Sequence, residues 1–276
     1  MTTPNTPAAA RGLLRYECDV CGRKVPQYRP QCPKCLHWDT FRRCKPQKPP
    51  QKASAGIVKS TDPVRGYAVR RVSCGLAPVD KVLCGGFVKG RSHVLSGDPG
   101  AGKSTLALGV AGGFARGGKT VLYVCGEEGV GAVQHRAQRV KAAHAKLLLT
   151  PVVETDGLKA VIEESGASAV FFDSVQMLYN PAVKGDPGEV KQIKETVKIL
   201  APWCNARRLV SVFLAHVTKG GKVGGPQFFK HMTDVSLELK VDDQGIRELH
   251  SRKNRDGGTD YVGRLRMTAA GLTERE

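Results

Sequence analysis

The feature that most constrains this chain is a short apolar run that passes directly into Gly97-Asp98-Pro99-Gly100-Ala101-Gly102-Lys103-Ser104. Residues 92–96 read as a buried strand and residues 105–115 as a helix. Strand, glycine-rich loop and helix, in that order, give the pattern G-x4-G-K-S a mechanism. The glycines let the backbone curl so that successive N–H groups face a phosphate. The helix N-terminus adds partial positive charge at the same spot. The sequence therefore predicts a nucleotide-binding stretch of Gly97, Asp98, Pro99, Gly100, Ala101, Gly102, Lys103, Ser104 and Thr105. Lys103 is placed to neutralise the β- and γ-phosphates of ATP, and the Ser104 hydroxyl to ligate Mg²⁺.

The downstream pattern alternates in the way an α/β fold with a mostly parallel sheet requires. Residues 121–125 form an apolar, β-branched run that ends at Gly126, Glu127 and Glu128, and residues 130–143 read as a helix. Residues 169–172 form another apolar run, ending at Asp173 and Ser174. An Asp just past a buried strand is the expected second Mg²⁺ contact, made through water. Residues 188–205 look helical, and residues 209–215 form a further strand ending at His216. Parallel strands then deliver these polar residues to the sheet edge that carries the phosphate loop. Residues 219–225 are a basic, glycine-rich loop containing Lys219 and Lys222. Beyond it, 236–241, 246–252 and 261–267 alternate as strands, an expected meander on one side of the sheet.

The N-terminal segment has different chemistry. Cys18, Cys21, Cys32 and Cys35 make two C-x2-C pairs, whereas Cys44, Cys74, Cys84, Cys125 and Cys204 are scattered and read as packing residues. A two-residue gap folds each pair into a knuckle that offers both sulfurs to one ion, and four thiolates suit tetrahedral Zn²⁺ with no open position for catalysis. Disulfides are the competing reading, disfavoured because no secretory signal is apparent. Residues 1–44 are thus a zinc module, residues 45–65 a Pro- and Lys-rich linker, and residues 66–276 the nucleotide-binding domain.

Charge points to the partner. The formal net charge is +18, and +10 of it falls in the first 70 residues, where 14 Lys and Arg face 4 Asp and Glu. Such a distribution suits a polyanion, most often nucleic acid. No run of about 18 apolar residues occurs, so a cytoplasmic protein without membrane contact is expected.

Six linked motifs resemble the bacterial RadA (Sms) recombination and repair ATPases. They are Cys18-Asp19-Val20-Cys21-Gly22 with Cys32-Pro33-Lys34-Cys35, the Gly75-to-Gly86 approach, the phosphate loop, Tyr123-Val124-Cys125-Gly126-Glu127-Glu128, Asp173-Ser174-Val175-Gln176, and His216-Val217-Thr218-Lys219. Lys253-Asn254-Arg255 sits where that family carries Lys-Asn-Arg-Phe-Gly, but Asp256 stands in place of the Phe. The resemblance runs collinearly from about residue 16 to residue 267. It implies a RecA-like ATPase core and a hexameric ring. It also implies a DNA-stimulated ATPase, with 5′–3′ helicase activity an option, acting on single-stranded or branched DNA in recombinational repair. The family's C-terminal Lon-protease-like domain is expected to be missing. A carboxylate at position 256, next to a proposed DNA or subunit contact, is expected to weaken polyanion binding or to alter which partner is read.

By the same resemblance, Glu127 polarises the attacking water, with Glu128 as the competitor, and His216 senses the γ-phosphate. Lys253 and Arg255 are expected to reach a neighbouring subunit's nucleotide, with DNA contact as the competing role. Lys219 and Lys222 are the leading candidates for DNA phosphates, and Arg23, Lys24, Arg29 and Lys34 form a second patch. The zinc head alternatively docks a recombinase or replisome protein. A non-translocating ATP-dependent switch or loader is the alternative to a motor, and a small-molecule kinase is a third option that the zinc head and basic loop disfavour.

Overall fold

A computed structural model describes residues 16–43, 69–216, 226–229 and 231–275. The chain divides into two compact units, Met1–Gly66 and Tyr67–Glu276.

In the first unit, β1 (Tyr16–Cys18) pairs antiparallel with β2 (Lys24–Val25) and β3 (Phe41–Arg43). Among its described residues the core is small: Cys18, Val25, Cys32 and Phe41, with Tyr16, Cys21 and Cys35 packed against it. Small cores of this kind are commonly supplemented by a metal or a disulfide.

The second unit starts with β4 (Arg71–Val72), α1 (Ala77–Val82) and β5 (Phe87–Val88). β6 (Ser92–Gly97), α2 (Lys103–Arg116), β7 (Val121–Cys125) and α3 (Val130–Arg139) follow. Then come β8 (Leu147–Thr150), α4 (Thr155–Ser165), β9 (Ala169–Asp173), α5 (Val190–Ala206) and β10 (Val210–His216). The unit ends with α6 (Pro226–Phe229), β11 (Val235–Val241), β12 (Ile246–Asn254), β13 (Val262–Thr268) and β14 (Gly271–Glu274).

Among the described residues nine strands form one sheet, in the order β14-β13-β12-β11-β6-β10-β9-β7-β8. From β11 to β8 the neighbours are parallel, and β11 to β14 form an antiparallel meander. The period-2 alternation of side chains sorts the central strands onto two faces. Val121, Tyr123, Ala169 and Phe171 belong to the core under α2, while Leu122, Val124, Val170 and Phe172 belong to the core under α4 and α5. Both faces are covered, so these strands read as continuous apolar runs.

The expected helix over 130–143 stops at Arg139. Lys141 adopts φ 55°, and the turn brings Ala142 against α2 so closely that a Cβ on Gly112 would meet the Ala142 backbone at 2.7 Å. The sequence placed neither β1–β5 and α1 nor β8, α4, α6 and β14. Cys74, Cys125 and Cys204 are buried as expected of packing residues, but Cys84 is exposed. Cys44 and the 45–65 linker lie outside the described residues.

Candidate nucleotide site and cysteine centre

The phosphate loop leaves β6 at Gly97, where a Cβ would lie 2.4 Å from Leu239 O on the neighbouring strand. Gly102 holds a left-handed φ of 101° immediately before α2, a conformation open to glycine at no steric cost. Lys103 is buried, and its Nζ donates to Gly97 O and Asp98 O, both at 2.9 Å. Burial lowers the Lys103 pKa, while the carboxylates of Glu127, Asp173 and Asp98 act in the opposite sense. The ammonium is thus held at the loop by its backbone and by surrounding acids.

β10 lies between β6 and β9, and its register sets His216 beside Gly97. Cys125 of β7 pairs with Asp173 of β9. Glu127, Asp173, His216 and Lys103 therefore converge on one sheet edge. Tyr123 donates its hydroxyl to Asp173 Oδ2 at 2.6 Å. Asp173 Oδ1 is buried and, among the described residues, has no hydrogen-bond partner. Burial pushes this carboxyl up, while the Tyr123 and Ser104 hydroxyls hold it down. A buried carboxylate oxygen with unused acceptor capacity near the Ser104 hydroxyl fits a hard cation such as Mg²⁺.

The two neighbouring glutamates have different partners. Glu128 is gripped by Arg136 Nη2, at 2.6 and 2.7 Å from its two oxygens. Glu127 accepts from His216 Nε2 at 2.7 Å, and its side chain is 45% exposed. Gln176 donates from Nε2 to His216 O at 3.2 Å, tying the end of β10 to the segment after β9.

Lys253 and Arg255 lie elsewhere. Val235 of β11 pairs with both His93 of β6 and Asn254 of β12. They therefore sit where β6 begins, four residues and ~13 Å of strand from Gly97, on the far edge from their own phosphate loop. Lys253 Nζ donates to Thr233 O, and Arg255 Nη1 to Asp234 Oδ1 at 3.0 Å. Lys253 is within β12 and Arg255 just past it, so the strand runs further than the expected 246–252.

Asp256 was expected to disturb a polyanion contact, but it faces inward. Its side chain is 3% exposed and accepts from Arg91 Nε and Nη2 at 2.7 and 2.9 Å. Lys219 and Lys222 lie outside the described residues.

In the N-terminal unit, Cys18, Cys21, Cys32 and Cys35 bring all four sulfurs within 4.8 Å of one another. The Sγ–Sγ separations are 3.6 Å for Cys18–Cys35 and 3.5 Å for Cys21–Cys32. Zn–S bonds of about 2.3 Å at tetrahedral corners place sulfurs ~3.8 Å apart, so the cluster fits a thiolate-bound ion with little adjustment. The Thr40 hydroxyl, 3.2 Å from Cys18 Sγ, leads the interactions that lower that thiol to about 6.

Sequence reasoning assigned no role to Tyr123, Gln176, Arg91 or Asp234. Tyr123 left a signal: a phenol within an otherwise apolar buried strand needs an acceptor. The others left none, because their partners are remote in sequence.

The AAA domain family matches residues 63–222. The chain is 34% identical over 270 residues to the DNA repair protein RadA of Treponema pallidum, covering 94% of this chain and 58% of that protein. It is 33% identical over 268 residues to the RadA of Chlamydia muridarum (95% and 59%) and 33% over 271 residues to that of Campylobacter jejuni (95% and 61%). The chain thus spans about three-fifths of the length of these relatives. A KaiC-like protein of Pyrococcus horikoshii shares the fold at TM-score 0.60 and 17% identity, over 76% of this chain and 100% of that one. No helix among the described residues is long and apolar enough to cross a membrane. With its phosphate loop, paired acids and strand order, the chain belongs to the AAA-domain family of P-loop ATPases, as a RadA/RecA-like member.

Proposed function

We propose that the protein hydrolyses ATP and couples hydrolysis to DNA during recombinational repair, as a ring of like subunits. The observation that carries this reading is the pairing pattern of the glutamates. Glu128 is engaged by Arg136, whereas Glu127 is partly exposed beside His216 at the phosphate-loop edge. Glu127 therefore acts as the base that orients and polarises the attacking water. His216, bonded to it, reports the state of the γ-phosphate to the residues that follow β10. Lys103 and the loop amides from Gly97 to Thr105 hold the triphosphate. Mg²⁺, held by Ser104 and through Asp173, would neutralise charge on the β- and γ-phosphates.

Lys253 and Arg255 lie too far from their own loop, and we assign them to a neighbouring subunit's γ-phosphate. A trans-acting Arg contributes about 10³-fold or more in rate, so assembly switches hydrolysis on. Lys219 and Lys222 contact DNA phosphates. The four cysteines hold a structural Zn²⁺, with all coordination positions taken by protein.

The test is phosphate release with and without single-stranded DNA at low salt, beside a Lys103→Ala control. Stimulation that declines steeply with log salt is the expected result. Turnover indifferent to DNA would leave a nucleotide-driven switch in place of a motor.

A further inference from the structure

The turn that carries the two candidate trans-acting cations is fastened at every residue. Arg255 N donates to Asp234 O at 3.3 Å, and Asp256 N to Asn254 Oδ1 at 3.0 Å. Arg71 Nη2 donates to Asp256 O at 2.6 Å, while its Nη1 is anchored on Leu83 O at 2.6 Å. The buried Asp256 carboxylate takes both arms of the Arg91 fork. Arg255, by contrast, keeps 55% of its side chain exposed. Its Nη1 rests on the buried Asp234 Oδ1 at 3.0 Å, and the exposed remainder of the guanidinium stands on a rigid root, as delivery of a cation to an adjacent molecule requires.

Arg91 immediately precedes β6, the strand whose other end is the phosphate loop. Turning Asp256 outward would break both arms of this bidentate pair on a partly buried guanidinium, which is unfavourable. We propose that Asp256 and Arg91 are positioning residues: an ion-pair brace that ties the Lys253–Asn254–Arg255 turn to the root of β6. The brace sets the reach of Arg255 toward the next subunit's nucleotide. The position where this chain departs from the Lys-Asn-Arg-Phe-Gly pattern thus has an electrostatic fastening. The proposal rests on the trans-acting role of Lys253 and Arg255.

Mixing of subunits separates the two ideas. In the full chain, Asp256→Asn should lower kcat by about 10²-fold, the scale of a 1 Å misplacement. KM, affinity for a non-hydrolysable ATP analogue and oligomer size should stay as in the wild type. The double variant Arg91→Asp/Asp256→Arg, which restores the pair with reversed polarity, should recover part of that loss.

Mixed with Lys103→Ala subunits, Asp256→Asn subunits should regain at least about tenfold of turnover. Their intact loops then face a neighbour whose brace is whole. Arg255→Ala mixed with Lys103→Ala serves as the reference. Complementation in that reference, without any for Asp256→Asn, overturns the brace and leaves the trans-acting role standing. Wild-type kcat in Asp256→Asn also overturns it. Absence of complementation in both mixtures overturns the trans-acting role and the brace with it. A fall in melting temperature without a fall in kcat assigns Asp256 to stability alone and refutes the proposal.

Discussion

At the edge where β6 ends, acids stand with capacity to spare: Glu127 is partly exposed, and Asp173 keeps one oxygen without a partner among the described residues. At the edge where β6 begins, the acids are sealed. Asp234 Oδ2 accepts from Ser92 N, Ser92 Oγ and Asn205 Nδ2, its Oδ1 accepts from Arg255, and Asp256 takes the Arg91 fork. Burial opposes ionisation of Asp234, yet the Ser92, Asn205 and Arg91 interactions bring its pKa below the ordinary value. A buried carboxylate whose oxygens are all met belongs to the framework, whereas one with unmet capacity at a cleft is suited to a ligand. The same residue type thus has opposite uses at the two ends of one strand.

The sharpest way to break this contrast is Glu127→Gln. It should lower turnover by about 10²–10⁴-fold, the range for loss of a general base. Binding of a fluorescent ATP analogue and thermal stability should stay near wild type, since Glu127 is partly exposed and loses one contact. Glu128→Gln should affect turnover less, because Arg136 already engages both oxygens of Glu128. If the order of the two reversed, the assignment of the base would move to Glu128.

The framework edge should respond in stability. His93 is fully buried near Asp234 and Asp256, its Nδ1 lies 3.2 Å from Ser211 O, and burial lowers its pKa to about 4. The folded state therefore holds the ring neutral where the unfolded chain, titrating near 6.5, takes up a proton. The stabilisation is present above about pH 6.5 and is lost as pH falls toward 4, on the order of 3 kcal/mol in total. His93→Phe should flatten this slope in thermal melts between pH 4 and 7. Phe87 already packs on the ring at 4.9 Å between centroids, so an aromatic replacement has a partner. An unchanged slope would remove His93 from the account.

Legibility in the sequence divides along the same line. The phosphate loop, the strand 121–125 and the cysteine pairs are contiguous patterns whose chemistry depends on local spacing, and each lies where it was expected. The Asp234–Arg255 and Asp256–Arg91 pairs join residues 21 and 165 positions apart, and no local period announces them. β8 escaped because Leu147, Leu148 and Leu149 are a short apolar run with no β-branching, which does not distinguish strand from helix. α4 begins at Thr155 with Glu154 capping the amides of Asp156 and Gly157. Glutamate is not among the preferred N-cap residues, so the usual start signal was absent. Cys84 is exposed and lies in a left-handed turn at φ 55°, a conformation that composition does not reveal.

Tyr123 lies between the two classes: its ring belongs to the core and its hydroxyl to the site. Burial and the Asp173 charge push the phenol's pKa well above its ordinary value, so it remains a donor at any working pH. Tyr123→Phe deletes one hydrogen bond to a buried carboxylate and should lower stability by about 2 kcal/mol. It also removes a group that holds the Asp173 pKa down. Asp173 would then be less ionised in mild acid, so the Mg²⁺ concentration for half-maximal turnover should rise more between pH 8 and pH 6 in the variant than in the wild type. Loss of melting temperature with an unchanged Mg²⁺ response would make Tyr123 a core residue alone. The framework would then end at the core and not reach the Asp173 carboxylate.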